Sequence, residues 1–198
     1  MFEGLVLAAG VSNRLGFPKQ EIAFGEQTFL QRSVALLMEV GATRVVCVLP
    51  PFDVAGMDEL PKGVLVGRNE HPEHGMGSSL KLGLAMLKDS ESSILVTLVD
   101  QPFLDLGHLK NMLEESTCHP SSIVASAYGG GVGVPALFPS IFRDQLRRIP
   151  DGSGAKKFIK QHGTKTRLVE NPSLAFDIDT PEDFQRYLAC QSAGRLRP

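Results

Sequence analysis

The chain has 198 residues, of which 42% are hydrophobic and 21% charged, enough apolar material for one sizeable core in an ordinary globular protein. A net charge of −2 provides no broad positive field and excludes nucleic acid as the main partner. No apolar run reaches membrane-spanning length, and three widely spaced cysteines (Cys47, Cys118 and Cys190) offer neither a disulfide framework nor a Cys-x-x-Cys metal pair, so a cytoplasmic protein with no membrane role is expected.

Short β-rich runs alternate with helical patterns along the chain. Strands are predicted over 4–9, 44–49, 64–66, 94–99, 123–127 and 166–169. Residues 29–40 carry Phe29, Leu30, Val34, Leu37 and Met38 at helical spacing and stop at Gly41. A second helix is predicted over 79–87 through Leu80, Leu84 and Leu87, and a weaker one over 106–113. This βαβα order predicts an α/β protein, a Rossmann-like three-layer sandwich with a mostly parallel central sheet. Gly129-Gly130-Gly131 reads as a turn between strands. One domain over 1–190 is expected, with a frayed polar tail over 191–198.

Four segments carry candidate chemistry. Leu7-Ala8-Ala9-Gly10 leaves the first strand and opens a loop holding Arg14, Gly16 and Lys19. Open α/β sheets bind ligands where loops leave the carboxyl ends of strands, and backbone N–H groups with two cations there suit a polyphosphate. The loop is neither a Walker A motif, since Phe17 follows Gly16, nor a dinucleotide fingerprint; Gly75-Met76-Gly77-Ser78-Ser79-Leu80 also lacks the third glycine of the latter. The plainer reading of the loop is a solvated turn with two surface cations. Asp100 ends a strongly apolar strand facing the same crevice, where a hard carboxylate suits Mg²⁺; as a plainer reading it caps a turn.

Asp177 and Asp179 flank Ile178 and share one face of an extended chain, just before Thr180-Pro181-Glu182-Asp183, a good helix start. The helix start accounts for Thr180 to Asp183 but not for the earlier carboxylates, so Asp179 is the candidate second metal ligand. In the fourth segment, Asn69 to Lys81, Gly75 and Gly77 permit close backbone approach, and Ser78 or Ser79 is expected to begin or cap a helix facing a base or phosphate. His71 and His74 are set aside as zinc ligands because the sequence shows no third ligand beside them. The turn-rich segments 133–139 and 151–157 are candidates to border an acceptor, though each is as readily a plain loop.

Taken together, in this order and over nearly the whole chain to about Tyr187, these segments resemble the MobA-like nucleotidyltransferases, most closely the molybdenum cofactor cytidylyltransferase branch. The resemblance rests on Leu7-Ala8-Ala9-Gly10 with Ser12, Arg14, Gly16, Pro18 and Lys19, and on Gly75-Met76-Gly77-Ser78-Ser79-Leu80. It continues through Asp100-Gln101-Pro102-Phe103, Gly133-Val134-Pro135-Ala136-Leu137-Phe138 and Asp177 to Asp183. It implies the fold of the nucleotide-diphospho-sugar transferases and transfer of a nucleotidyl group from an NTP to an acceptor phosphate, releasing pyrophosphate.

The same resemblance implies catalytic roles for Lys19, Arg14 and Asp100, with Mg²⁺ on Asp100 and Asp179. It implies a nucleotide site of Leu7, Ala8, Ala9, Gly10, Arg14, Lys19, Asn69, Gly75, Ser78, Ser79 and Asp100. Alanine at position 9 accompanies CTP users in the family and glycine GTP users, so CTP is favoured. Molybdopterin is the named candidate acceptor and a molybdoenzyme the candidate partner. The later family loop usually reads Gly-Asp-x-Gly-Ala; here Asp151-Gly152-Ser153-Gly154 departs from it, which leaves the role of Asp151 open. The rival readings are a sugar-phosphate or other small-phosphate nucleotidyltransferase and a non-catalytic nucleotide-binding accessory protein of molybdoenzyme maturation.

Overall fold

The computed structural model describes residues 1–87 and 91–193. Strand β1 (Phe2–Leu7) is buried along its whole length because it lies mid-sheet. A small hairpin, β2 (Ala23–Phe24) with β3 (Gln27–Thr28), leads into α1 (Phe29–Glu39), whose start is fixed by a capping box between Thr28 and Gln31. Then follow β4 (Val45–Leu49), β5 (Leu65–Arg68), α2 (Met76–Met86), β6 (Ser93–Leu98) and α3 (Leu106–Cys118). The chain finishes with β7 (Ile123–Tyr128), β8 (Gly131–Phe138), α4 (Arg143–Arg147), α5 (Ala155–Gln161), β9 (Thr166–Glu170) and α6 (Pro181–Ser192).

Seven strands form one sheet in the order β5-β4-β1-β6-β8-β7-β9. The β5-β4-β1-β6 run is parallel, β8 is antiparallel to both neighbours, and β9 returns parallel to β7, so the sheet is mostly parallel as expected. Alternation along β1 explains the layers. Val6 and Ala8 face a core shared with Leu30, Val34 and Leu37 of α1, Leu109 and Met112 of α3 and Tyr187 of α6. Leu5 and Leu7 face the opposite core, filled by Leu80 and Leu84 of α2, Leu146 of α4 and Phe158 and Ile159 of α5.

Two segments depart from the expectation. Residues 133–138, expected as a turn-rich acceptor border, are the buried half of β8. Pro135 and the glycines hide this strand in the sequence; the strand tolerates them because the pairing with β7 slips between Ala125 and Ser126, and the Ser126 hydroxyl donates to the Pro135 carbonyl at 2.8 Å. Helix α2 starts at Met76 rather than at Ser79, with Gly75 (φ +94°) as its cap residue and no side-chain cap. Gly129 and Gly130, both at positive φ, make the turn between β7 and β8 as read. At the tail, α6 continues to Ser192, and residues 194–198 of the expected frayed segment lie outside the described residues.

Candidate active site

The parallel run β5-β4-β1-β6 reverses its order of connection at β1, and a crevice opens at the carboxyl ends of β1 and β6, the switch point where α/β sheets bind ligands. Leu7 of β1 lies in register with Leu98 of β6, so the Ala8-Ala9-Gly10 turn and the Val99-Asp100 turn leave the sheet side by side. The crevice has a volume of about 310 Å³; its wall includes Leu7, Ala8, Ala9, Gly10, Arg14, Lys19, Gly75, Ser79, Asp100 and Asp179. Asn69 and Ser78, expected on that wall, stand behind it instead. The Asn69 amide donates to the hydroxyls of Ser78 and Ser79, both at 2.9 Å, and so holds Ser79 in place at the wall.

The loop after β1 is pinned from three sides. Leu15 is buried in the core, and the buried Gln20 amide donates to the carbonyls of Ala8 and Gly10. Phe17 meets Phe184 of α6 edge-on with ring centroids 5.1 Å apart, which ties the loop to the helix that follows Asp179. Helix α6 starts where the sequence placed a good helix start, fixed by a capping box between Thr180 and Asp183, and Asp183 also accepts from the Asp179 backbone N–H.

These supports bring four distant side chains together. The Lys19 ammonium donates to Asp100 at 3.0 Å and to Asp179 at 2.5 Å, and Arg14 donates to Asp179 at 2.7 Å. Burial alone would pull the Lys19 pKa down, but the charge of Asp100 and hydrogen bonds to both carboxylates outweigh it and hold the group above its ordinary value. The hydrogen bond from Lys19, helped by Arg14, holds Asp179 below the usual carboxylate range despite some burial. Asp177 projects beside them. Although the residue as a whole is exposed, burial of its carboxyl and the nearby charges of Asp100 and Asp179 push it up to about 6.

Oxygen donors of this kind fit a hard divalent cation. One oxygen of Asp100 is buried with no hydrogen-bond partner among the described residues, an orphaned acceptor that a cation would satisfy. The donor atoms of His71, Glu73 and His74 lie within 4.8 Å of one another on the exposed surface, so Glu73 is the third ligand type that the sequence reading did not place there. Their side chains are not part of the crevice wall.

The expected freedom of the α2 N-terminus is only partly present. The Gly77 N–H donates to the Asp151 carbonyl at 2.8 Å, and the Asp151 carboxylate pairs with Lys81, which holds it below the usual range. Asp151 thus anchors the 150–153 loop against α2. Sequence reading passed over Gln20, and it named Asp177 without giving it a role. Nothing marks a glutamine beside a loop lysine, whereas the alternation around Ile178 did place Asp177 on the same face as Asp179.

Comparison with known proteins agrees with this geometry. The MobA-like NTP transferase domain family matches residues 4–166. A phosphoenolpyruvate guanylyltransferase of Mycolicibacterium gilvum (strain PYR-GCK) is 25% identical over 154 residues, covering 76% of this chain and 70% of that protein. The crystal structure of Rv0371c from Mycobacterium tuberculosis H37Rv superposes with a TM-score of 0.77 at 26% identity, covering 96% of this chain and 98% of that one. A second structure of Rv0371c, in complex with manganese, gives a TM-score of 0.73 at 24% identity over 95% and 98% of the two chains. Asp177, Asp179 and α6 lie beyond the matched span, yet Asp179 is part of the same crevice wall. By matched span and by the polar cluster at the strand ends alike, the chain belongs to the MobA-like NTP transferase domain family, and its chemistry is of the nucleotidyltransferase class.

Proposed function

We propose that the chain moves a CMP group from CTP to a phosphorylated small-molecule acceptor, molybdopterin being the first candidate, and releases pyrophosphate. The observation that carries this reading is the meeting of Lys19 and Arg14 with Asp100 and Asp179 at the strand ends. In this reading residues 1–190 act as one domain in the cytoplasm, and a molybdoenzyme receives the product. A divalent cation, Mg²⁺ by preference, held by Asp100 and Asp179 supplies charge neutralisation on phosphate oxygens when bound. Lys19 stabilises negative charge growing on the α-phosphoryl oxygens, and Arg14 that on the departing pyrophosphate. The acceptor is already a phosphate anion, so no general base is required, and the described crevice wall holds neither a histidine nor a cysteine. Most of the rate then comes from holding two like-charged reactants in line.

A second reading follows from the guanylyltransferase relative: GTP as donor and a phosphoenolpyruvate-like acceptor. Thermal unfolding of the protein with CTP, GTP, ATP or UTP and Mg²⁺ separates the two. Selective binding at a hundredfold excess over Kd stabilises by about 2.7 kcal/mol. The largest shift is expected with CTP, and a larger one with GTP would overturn the reading of Ala9. Pyrophosphate release in the presence of phosphorylated acceptors then identifies the second substrate, and release with none of them would favour a binding protein without turnover.

A further inference from the structure

The cations assigned to the triphosphate are already engaged with the carboxylates assigned to the metal. The Lys19 side chain is only 12% exposed and its ammonium is shared between Asp100 and Asp179, while Arg14, 71% exposed, reaches Asp179 from the solvent side. Asp179 therefore holds both cations at once. A bare polyphosphate can use them only by breaking charge-assisted hydrogen bonds, about twice as strong as neutral ones, and then faces the charges of Asp100 and Asp179. A divalent cation alone must displace a buried ammonium and leave it without its partners.

Arriving together, the two ligands exchange partners with the protein. Asp100 and Asp179 would then hold the cation while Lys19 and Arg14 would hold the phosphates, which would leave no buried charge unpaired. We propose that Asp179 is a selectivity residue for the form of the nucleotide: by masking Lys19 and Arg14 it rejects metal-free triphosphate and admits the metal complex. The inference rests on the nucleotidyl-transfer reading of this crevice. Because coupling between two ligands is reciprocal, the cation tightens nucleotide binding by the same factor as nucleotide tightens the cation.

The test is binding rather than turnover. Calorimetric titration of CTP and of GTP, each with excess chelator and with Mg²⁺, is run on the native chain, Asp179→Asn, Asp179→Ala and Asp177→Asn. Asp179 is partly exposed, and its backbone contact to Asp183 survives these changes, so the fold is retained. Native protein is expected to bind nucleotide weakly in chelator and far more tightly with Mg²⁺. Asp179→Ala should bind metal-free nucleotide at least roughly tenfold more tightly than the native chain, the scale of one of its two charge-assisted hydrogen bonds no longer broken on binding, with Asp179→Asn in between. Asp177→Asn removes a neighbouring carboxyl without touching the hydrogen bonds of Lys19 and Arg14, and should gain much less. No gain in the Asp179 variants, or an equal gain in Asp177→Asn, overturns the masking role while leaving nucleotidyl transfer intact. Failure of the native chain to bind either nucleotide with Mg²⁺ overturns the functional reading and the inference with it.

Discussion

Replacing Lys19 with alanine removes an ammonium that touches both Asp100 and Asp179. Steady-state turnover of Lys19→Ala is expected to fall roughly 10²–10³-fold, the scale of one lost charge-stabilising donor, with a smaller change in nucleotide KM. Turnover near the native level would remove Lys19 from the chemistry. Arg14, Lys19 and Asp100 are legible in sequence because the strand ends of β1 and β6 open on one crevice, whereas Asp179 stands out as a carboxylate that the following helix start leaves unexplained and as a position the family resemblance implies. Gln20 was not legible. Its contribution is to bond the carbonyls of Ala8 and Gly10, and no local pattern distinguishes it from a solvated loop glutamine. Asn69 was grouped correctly in space but one layer too far forward, since periodicity does not tell a wall residue from the residue that supports it.

Among the elements, the junction of α2 with the 150–153 loop shows how a glycine can be demanded by packing rather than by its dihedrals. A Cβ on Gly77 would run into the carbonyl oxygens of Pro150, Asp151 and Ser153 at once, and these are backbone atoms that cannot swing aside. Gly77→Ala is expected to destabilise the protein by about 1–3 kcal/mol, the usual cost of overpacking. Because this junction carries Gly75 and Ser79 of the crevice wall, the variant should also raise nucleotide KM; thermal unfolding and steady-state kinetics measure the two effects. The helix itself was expected from Leu80 and Leu84, but its start was placed too late because serines are common caps and here the cap residue is Gly75. Strand β8 was missed for the opposite reason. Pro135 and its neighbouring glycines are strong turn signals, and only the slipped register opposite Ser126 makes them compatible with a buried strand.

For the molecule as a whole, a buried ion pair joins the first strand to the second half of the chain. Arg143, 2% exposed, donates to Glu3 at 2.8 Å and to the carbonyls of Leu87 and Ser92. Arg143→Met takes from the buried carboxylate of Glu3 its partner at 2.8 Å, with the Arg44 guanidinium at 3.5 Å, and should cost about 3–5 kcal/mol in denaturant unfolding. Adding Glu3→Gln should recover part of that loss, and strict additivity of the two changes would show that the pair is not coupled. At the other end, Tyr187 is buried against Phe29, and its hydroxyl donates to the Ala23 carbonyl at 2.7 Å, so α6 closes over the hairpin that precedes α1. This order of assembly has a consequence on the ribosome. Every strand of the sheet is synthesised before residue 179, so a nascent chain can finish its sheet while Lys19 and Arg14 still lack the carboxylate they share. Until α6 emerges and docks, Arg14 is without the Asp179 carboxylate and Lys19 rests on Asp100; under the proposed masking role, discrimination among nucleotide forms waits on that docking.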